Sequence, residues 1–297
     1  MKKIVPLGLC ILLLSCSGEY QSNEQVMMQS VDTTAAKQPE ISDEVIGAIL
    51  NSIPSPLELS NIIKESGGAY NVGYLNNHAN SSKYNSSFKK AVNLGIYGTD
   101  LGYINIYNQS KDGLMYIQSI KGLADELSIG HFFDLATIKR LASNSDNIDS
   151  LLRITTTNFE KINHFLQEKK RSEQSILILT GGWIEALHIS CQVAKLNPNE
   201  TLMEKIGEQK IILDQLLLLI SNYQSDPQMQ QLAEELKKLK EVYNTVEITY
   251  TYKESTMKEV NGVLVISDES ESKIHLNQDQ LSQITEITEN IRKSLIS

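Results

Sequence analysis

Apolar residues recur at helical spacing along most of this chain. From about residue 85 onward they form long segments with a 3.6-residue period, separated by short polar breaks such as Asn197-Pro198 and Asp226-Pro227. The predicted helices span 85–108, 109–127, 132–143, 146–169, 172–195, 199–223 and 227–246. Short connections between long helices are typical of antiparallel neighbours. The pattern therefore predicts an all-α or nearly all-α protein, built as an antiparallel multi-helix bundle or array.

The segments before residue 85 and from residue 277 onward also show helix-capping and turn signals. Ser42 is a capping residue in front of a short amphipathic stretch, and residues 66–84 are rich in Gly, Asn and Ser, which indicates a loop or short turns. Asn277 caps a last predicted helix, in which apolar residues keep core spacing: Leu281, Ile284, Ile287, Ile291 and Leu295.

The pattern changes near the C-terminal end. Residues 245–252 alternate with β-type residues, and so do residues 260–266, with the turn pair Asn261-Gly262 at the start of the second stretch. Two interpretations fit this stretch. The first is a small β hairpin near residues 246–267, and the second is a helix that runs to about residue 252 and continues into an extended acidic loop.

The first sixteen residues differ from all the others. Lys2 and Lys3 precede an apolar stretch from Ile4 to Leu14, which is too short for a permanent membrane span and has the length of a secretory signal. The stretch ends in Leu-Leu-Ser-Cys at Cys16, which resembles the lipobox of bacterial lipoproteins. That resemblance implies lipidation of Cys16 and cleavage just before it.

These observations predict three regions. Residues 1–15 form a signal peptide, and residues 16–40 contain the lipidated cysteine and a disordered tether, which is polar and lacks apolar periodicity. Residues 41–297 form the helical domain. Ser17, rather than Asp, follows the cysteine, which by the sorting rule of some Gram-negative bacteria favours the outer membrane and leaves the periplasmic and surface faces both open.

The acidic composition limits the partners. The formal net charge of the 297-residue chain is −9, and it becomes more negative once Lys2 and Lys3 are removed. Nucleic acids are bound by clustered Lys and Arg, so no nucleic-acid partner is expected. The lipid on Cys16 is the predicted contact with the membrane.

Two glycine-containing segments interrupt otherwise good helices. Residues 94–103 contain Gly95, Gly98 and Gly102 at spacings of three and four, and residues 180–188 contain Gly181 and Gly182 beside the single Trp. Each interior glycine costs a helix about 1 kcal/mol relative to Ala, so some compensation is required. We expect close helix–helix packing at these five glycines, and room for a ligand is the alternative.

The same segments, LGIYGTDLGY and GGWIEAL, resemble the LGxYGxDLxY-like and GGWxExL-like stretches of an uncharacterised Bacteroidota lipoprotein family. The resemblance covers most of residues 85–195. It implies lineage and an envelope location, and it brings no activity.

Three polar residues in these segments are the candidates for chemistry. Asp100, Glu185 and His188 lie among apolar and small residues, and Glu185-x-x-His188 has the spacing used by di-iron bundle proteins. Those proteins need a second such pair and two further Glu residues, whereas this chain has one pair. We therefore predict a buried, hydrogen-bonded polar cluster without metal, and a metal-binding or acid–base site is the alternative.

The remaining features point away from an enzyme. The sequence has no G-x-S-x-G, P-loop or C-x-x-C motif, so no cofactor is predicted. Tyrosines such as Tyr97, Tyr103, Tyr107 and Tyr116 have helical spacing, which fits either half-buried packing or a groove for a peptide or glycan.

The expected function is a lipid-anchored envelope lipoprotein, a non-catalytic binding or scaffolding module for an envelope protein, peptide or glycan. The alternative is a helical-bundle enzyme or metal-binding protein that uses Asp100, Glu185 and His188.

Overall fold

The long periodic segments are helices in the computed structural model, which describes residues 42–53, 62–133, 148–253, 256–260, 263–267 and 270–297. The helices are α1 (Asp43–Ser52), α2 (Ser87–Ile106), α3 (Ser110–Glu126), α4 (Ile148–Glu168), α5 (Ser172–Leu196), α6 (Glu200–Ser221), α7 (Pro227–Tyr243) and α8 (Gln278–Ile296). They pack as an array with one small antiparallel β element, so the nearly all-α prediction is confirmed.

Capping side chains fix where several helices begin. Asn199 and Asp226 accept hydrogen bonds from backbone N–H groups in the first turns of α6 and α7, and Pro227 follows in the first helical position. At α8, Asn277 and Gln280 form a reciprocal capping box. Polar residues at the predicted breaks therefore satisfy backbone donors that the helices themselves leave open.

Helix α5 is the central element of the core. It is buried on all sides, and its most extensive contact is with α2, which is far away in the sequence. Helices α4, α6 and α8 pack on its other faces. Among the described residues it is the one helix long and apolar enough to cross a membrane, but 94% of its apolar window is buried inside the fold. A helix that is apolar all round is expected in the middle of a helical core.

The loop between α1 and α2 contains two short 3-10 turns, Val72–Tyr74 and His78–Lys83. Residues 68–84 of this loop lie against α2 and α3, and we call them the covering loop. A third 3-10 turn, Gly130–Phe132, follows α3.

The β element is a long, interrupted hairpin after α7. Strand β1 (Glu247–Thr251) pairs with β4 (Glu271–His275), and β2 (Thr256–Val260) pairs with β3 (Val263–Ser267), both antiparallel. The register of the β2–β3 pairing is offset by one residue from that of the β1–β4 pairing. The hairpin is longer than the predicted 246–267. The alternative of a helix continuing to residue 252 is wrong, because α7 ends at Tyr243.

Some sequence predictions lie outside the described residues. These are the signal peptide (1–15), Cys16 with the tether (16–40), and the part of the predicted helix 132–143 that follows Phe133. Every described residue belongs to the compact unit that begins at Glu40.

Candidate functional site

The polar cluster predicted from the sequence forms where α2 and α5 pack together. Asp100 of α2 and Glu185 of α5 are both fully buried, with 0% of each residue exposed. A buried carboxyl group is stable only if hydrogen bonds, a counter-charge or a proton compensates for the lost hydration. The contacts of the two groups show that each is compensated in a different way.

Glu185 is neutralised by Arg292, which reaches it from α8. The guanidinium Nε donates to Oε2 at 2.6 Å, and Nη2 donates to Oε1 at 2.7 Å. Such a bidentate pair satisfies both carboxylate oxygens in the geometry that Arg prefers. Nη2 also donates to the Tyr74 carbonyl at 2.9 Å, so the pair connects α5, α8 and the covering loop.

Asp100 lies beside this ion pair. Its Oδ2 accepts a hydrogen bond from the Asn76 N–H at 3.2 Å, and its carboxyl group is within hydrogen-bonding reach of Glu185. No donor in the described part of the chain reaches Oδ1. Burial, and then the charge and hydrogen bond of Glu185, raise the pKa of Asp100 well above its ordinary value. A proton on Asp100 makes the three groups neutral together and lets Asp100 donate to Glu185.

Asn76 of the covering loop closes the cluster. In addition to its N–H bond to Asp100, its carbonyl accepts from the Tyr116 hydroxyl at 2.8 Å. Its side-chain Nδ2 donates to the Tyr84 hydroxyl at 2.9 Å and to Asn93 Oδ1 at 3.2 Å. All of these groups are buried. Asn76 therefore has partners for its backbone and side-chain groups, and its N–H lies against the Asp100 carboxyl group.

Four tyrosine hydroxyls fasten the covering loop to α2 and α3. Each of them donates to a loop carbonyl at 2.6–3.3 Å: Tyr107 to Gly68, Tyr103 to Ala69, Tyr116 to Asn76 and Tyr97 to Asn77. Of the two predicted roles for these tyrosines, the structure therefore shows packing with engaged hydroxyls. The surface that they form is covered by the protein's own loop.

His188 lies one helical turn beyond Glu185, at the margin of the cluster. It is nearly buried, and burial is the main cause that lowers its pKa, so the ring is held neutral. The Tyr74 backbone lies beside it as well as beside Arg292. The three residues singled out in the sequence do lie in one region, where Arg292 binds Glu185 and the covering-loop residue Asn76 binds Asp100.

The arrangement does not suit a metal ion. Within the described ranges, no three His, Cys, Asp or Glu side chains form a group that could hold one. A metal at Glu185 would also have to displace Arg292 from both oxygens. Cys191 is a buried free thiol of α5, and burial raises its pKa to about 12, which disfavours the thiolate form that a nucleophile needs.

The glycines mark where α2 and α5 approach most closely. A Cβ on Gly95 would overlap the Ile178 carbonyl oxygen, and a Cβ on Gly181 would overlap the Val92 carbonyl oxygen. The Gly182 carbonyl accepts a hydrogen bond from the Thr99 hydroxyl at 3.1 Å across the same contact. The backbones therefore touch directly, which only residues without a side chain allow.

Gly98 is a correction to the predicted glycine face. A Cβ there would meet no heavy atom within 4 Å, so this position needs no glycine for packing. An α-helix turns about 100° per residue, which places Gly98 about 60° around the helix from Gly95 and about 40° from Gly102. Gly102 is buried on α2, whereas Gly98 is partly exposed.

Sequence reasoning missed Arg292 and Asn76. Arg292 follows Ile291 on the helix face that carries Thr288 and Leu295, and these neighbours are buried. A single Arg on the apolar face of a helix indicates a buried acidic partner, so this signal was available. Asn76 gave no comparable signal, since its loop contains Asn residues at several positions.

Comparison of the chain with protein-family models, with curated proteins and with solved structures finds no match in any of the three. Function must therefore be argued from the chain's own residues.

Proposed function

We propose that this chain is a lipid-anchored cell-envelope protein that acts as a non-catalytic binding or scaffolding module. The observation that carries the non-catalytic assignment is the closed polar cluster. Glu185 is held by Arg292 at both oxygens, and Asp100 lies under Asn76. An acid–base or metal site needs an accessible side chain and room for a reactant. Here Arg292 and Asn76 occupy the positions next to the two carboxyl groups.

The anchor is supported by the sequence. The leader with Lys2 and Lys3, the apolar stretch and the lipobox-like end at Cys16 have the order found in bacterial lipoproteins. The apolar helix α5 offers no other attachment, because it is buried in the fold. The location that follows is the cell envelope, with the outer membrane favoured by Ser17.

The anchor is tested by replacing Cys16. We expect Cys16→Ala to prevent labelling with a palmitate analogue and to release the protein from the membrane fraction. Cys10→Ala is the matched control, because Cys10 lies within the predicted leader and should leave anchoring unchanged. A Cys16→Ala protein that stays membrane-bound after a high-salt wash would contradict the lipoprotein proposal.

The non-catalytic assignment is tested by elemental analysis of tag-free protein. We expect no stoichiometric transition metal, and we expect Glu185→Gln to leave the metal content unchanged. Stoichiometric Fe, Mn or Zn that disappears in Glu185→Gln would support the metal-binding alternative instead. Cross-linking in intact envelopes followed by purification would then identify the partner.

A further inference from the structure

We propose that β1 is a self-pairing edge, through which two copies of this chain form an antiparallel, two-fold symmetric dimer centred on Tyr250. The proposal goes beyond the binding role proposed above, because it names the partner as a second copy. It starts from the exposure of β1. All five residues from Glu247 to Thr251 are exposed, and Tyr250 is 62% exposed and Tyr252 70% exposed.

One edge of β1 carries backbone groups that β4 does not use. The Lys253 N–H donates to Ser270 Oγ at 3.1 Å, and Ser270 Oγ donates back to the Lys253 carbonyl at 3.3 Å. Successive residues of a strand direct their N–H and C=O groups to opposite edges, so the odd-numbered residues of β1 face β4. The even-numbered ones, Ile248, Tyr250 and Tyr252, direct theirs to the outer edge.

Among the residues that the structure describes, none gives this outer edge the usual protection against pairing. Natural edge strands are kept apart by Pro, by bulges, by central charges or by a covering element. Residues 247–253 contain no Pro or Gly, and their two charges stand at the ends. The side chains of Ile248, Tyr250 and Tyr252 share one face, with Ile274 opposite Ile248 on β4.

The sequence of the edge is complementary to itself. In an antiparallel pairing centred on Tyr250, Glu247 of one copy lies opposite Lys253 of the other. Ile248 lies opposite Tyr252, Thr249 opposite Thr251, and Tyr250 opposite Tyr250. Opposite charges, aromatic with β-branched, and Thr with Thr are the favourable cross-strand pairs. A shift of the register by two residues would lose the charge match, so this register is preferred.

The interface is small, which sets the expected affinity. Seven residues on each side bury less than the roughly 1,600 Å² of a standard interface, so a weak dimer is expected in solution. Confinement of both copies to one membrane raises their effective concentration and favours the pairing.

Disulfide trapping tests the register in the full-length protein, purified in detergent. Tyr250→Cys places two thiols on directly opposed residues, about 5.5 Å apart between Cα atoms, within disulfide range. Tyr252→Cys is the matched control on the same face, where the two thiols would be separated by about 13 Å along the strand. We expect rapid covalent dimer for Tyr250→Cys and only the parent's background for Tyr252→Cys.

A charge exchange tests the same register without cysteine. Lys253→Glu and Glu247→Lys each place like charges opposite one another at both ends of the pairing, and each should weaken dimerisation about tenfold. The double variant Glu247→Lys/Lys253→Glu restores opposite charges and should recover the parent's affinity, measured by analytical ultracentrifugation at up to about 1 mM protein.

Equal trapping of the two cysteine variants, together with a monomeric parent at every concentration, would overturn the proposal. The same result is expected if this edge binds another protein or a lipid surface instead. That result therefore counts against a second copy of the chain as the partner. Neither experiment depends on lipidation of Cys16. A negative result for the dimer would therefore leave the proposal of a lipid anchor unchanged.

Discussion

Polar groups are buried where α2 crosses α5, whereas they are exposed in the β hairpin. At the crossing, ionisable side chains are buried and compensated, Glu185 by the ion pair with Arg292 and Asp100 by a raised pKa. In the hairpin, β1 leaves backbone groups and aromatic rings such as Tyr250 at the surface. The acidic residues that could act in catalysis are thus buried away from solvent. The groups that a partner could contact lie on β1, where most of the exposed side chains are not catalytic types. Accessibility, rather than residue type, separates the structural region from the one available to a partner.

The largest expected effect comes from removing the charge partner of Glu185. Arg292→Met leaves a buried carboxylate without its counter-charge, which typically costs about 3–5 kcal/mol of unfolding free energy. Lys238→Met, in the exposed pair with Glu235 on α7, should cost less than about 1 kcal/mol. Urea denaturation of both variants checks the difference, and equal costs would mean that the cluster is not sealed from water.

The glycine contact gives the next effect. Gly95→Ala brings a methyl group against the Ile178 carbonyl, and we expect a loss of about 1–3 kcal/mol or more. Gly98→Ala is the matched control on the same helix. It should gain up to about 1 kcal/mol, since Ala is the better helix former and the space is open. Thermal unfolding of the two variants distinguishes them by the sign of the change, and a stabilised Gly95→Ala would refute the close contact.

The proton on Asp100 should appear as a pH dependence. Because the pKa of Asp100 is raised in the folded state, the unfolded chain releases this proton first, near pH 4, while the folded chain keeps it. The contribution of Asp100 to the stability of the parent therefore falls as pH rises from about 4 towards the folded pKa, by at most about 1.4 kcal/mol per pH unit.

Asp100→Asn cannot titrate, so its stability lacks this contribution. The difference in unfolding free energy between parent and Asp100→Asn should therefore become smaller as pH rises from 4.5 to 7, measured by urea denaturation at each pH. A difference that grows with pH would show that Asp100 is ionised in the folded protein.

The smallest effect compares two tyrosines. Tyr116→Phe removes the hydroxyl that donates to the Asn76 carbonyl, which should cost about 1 kcal/mol. Tyr250→Phe, on the exposed strand, should change the unfolding free energy by less than about 0.5 kcal/mol. Equal costs in denaturation experiments would contradict the claim that the hydroxyls hold the covering loop.

Much of the fold was predictable because helices depend on local patterns. The period of apolar residues located α2 to α8 within a few residues, and Asp226-Pro227 marked the start of α7 correctly. The hairpin was only partly predicted. The alternation of residues 245–252 was recognised, but the pairing of β1 with β4 joins residues up to 28 positions apart, and no local pattern specifies such a partner.

The candidate site shows the same division. The sequence by itself determined that Asp100 and Glu185 sit on apolar helices beside glycines, and that they need compensation when buried, because these follow from residue type and helical period. Only the tertiary structure decided what compensates them. Arg292 lies 107 positions from Glu185 and Asn76 lies 24 positions from Asp100, so their contacts exist only once α8 and the covering loop have packed onto α2 and α5. A buried charge is stabilised by whichever partner the fold brings within about 3 Å, and that choice is a property of the packing rather than of any one segment.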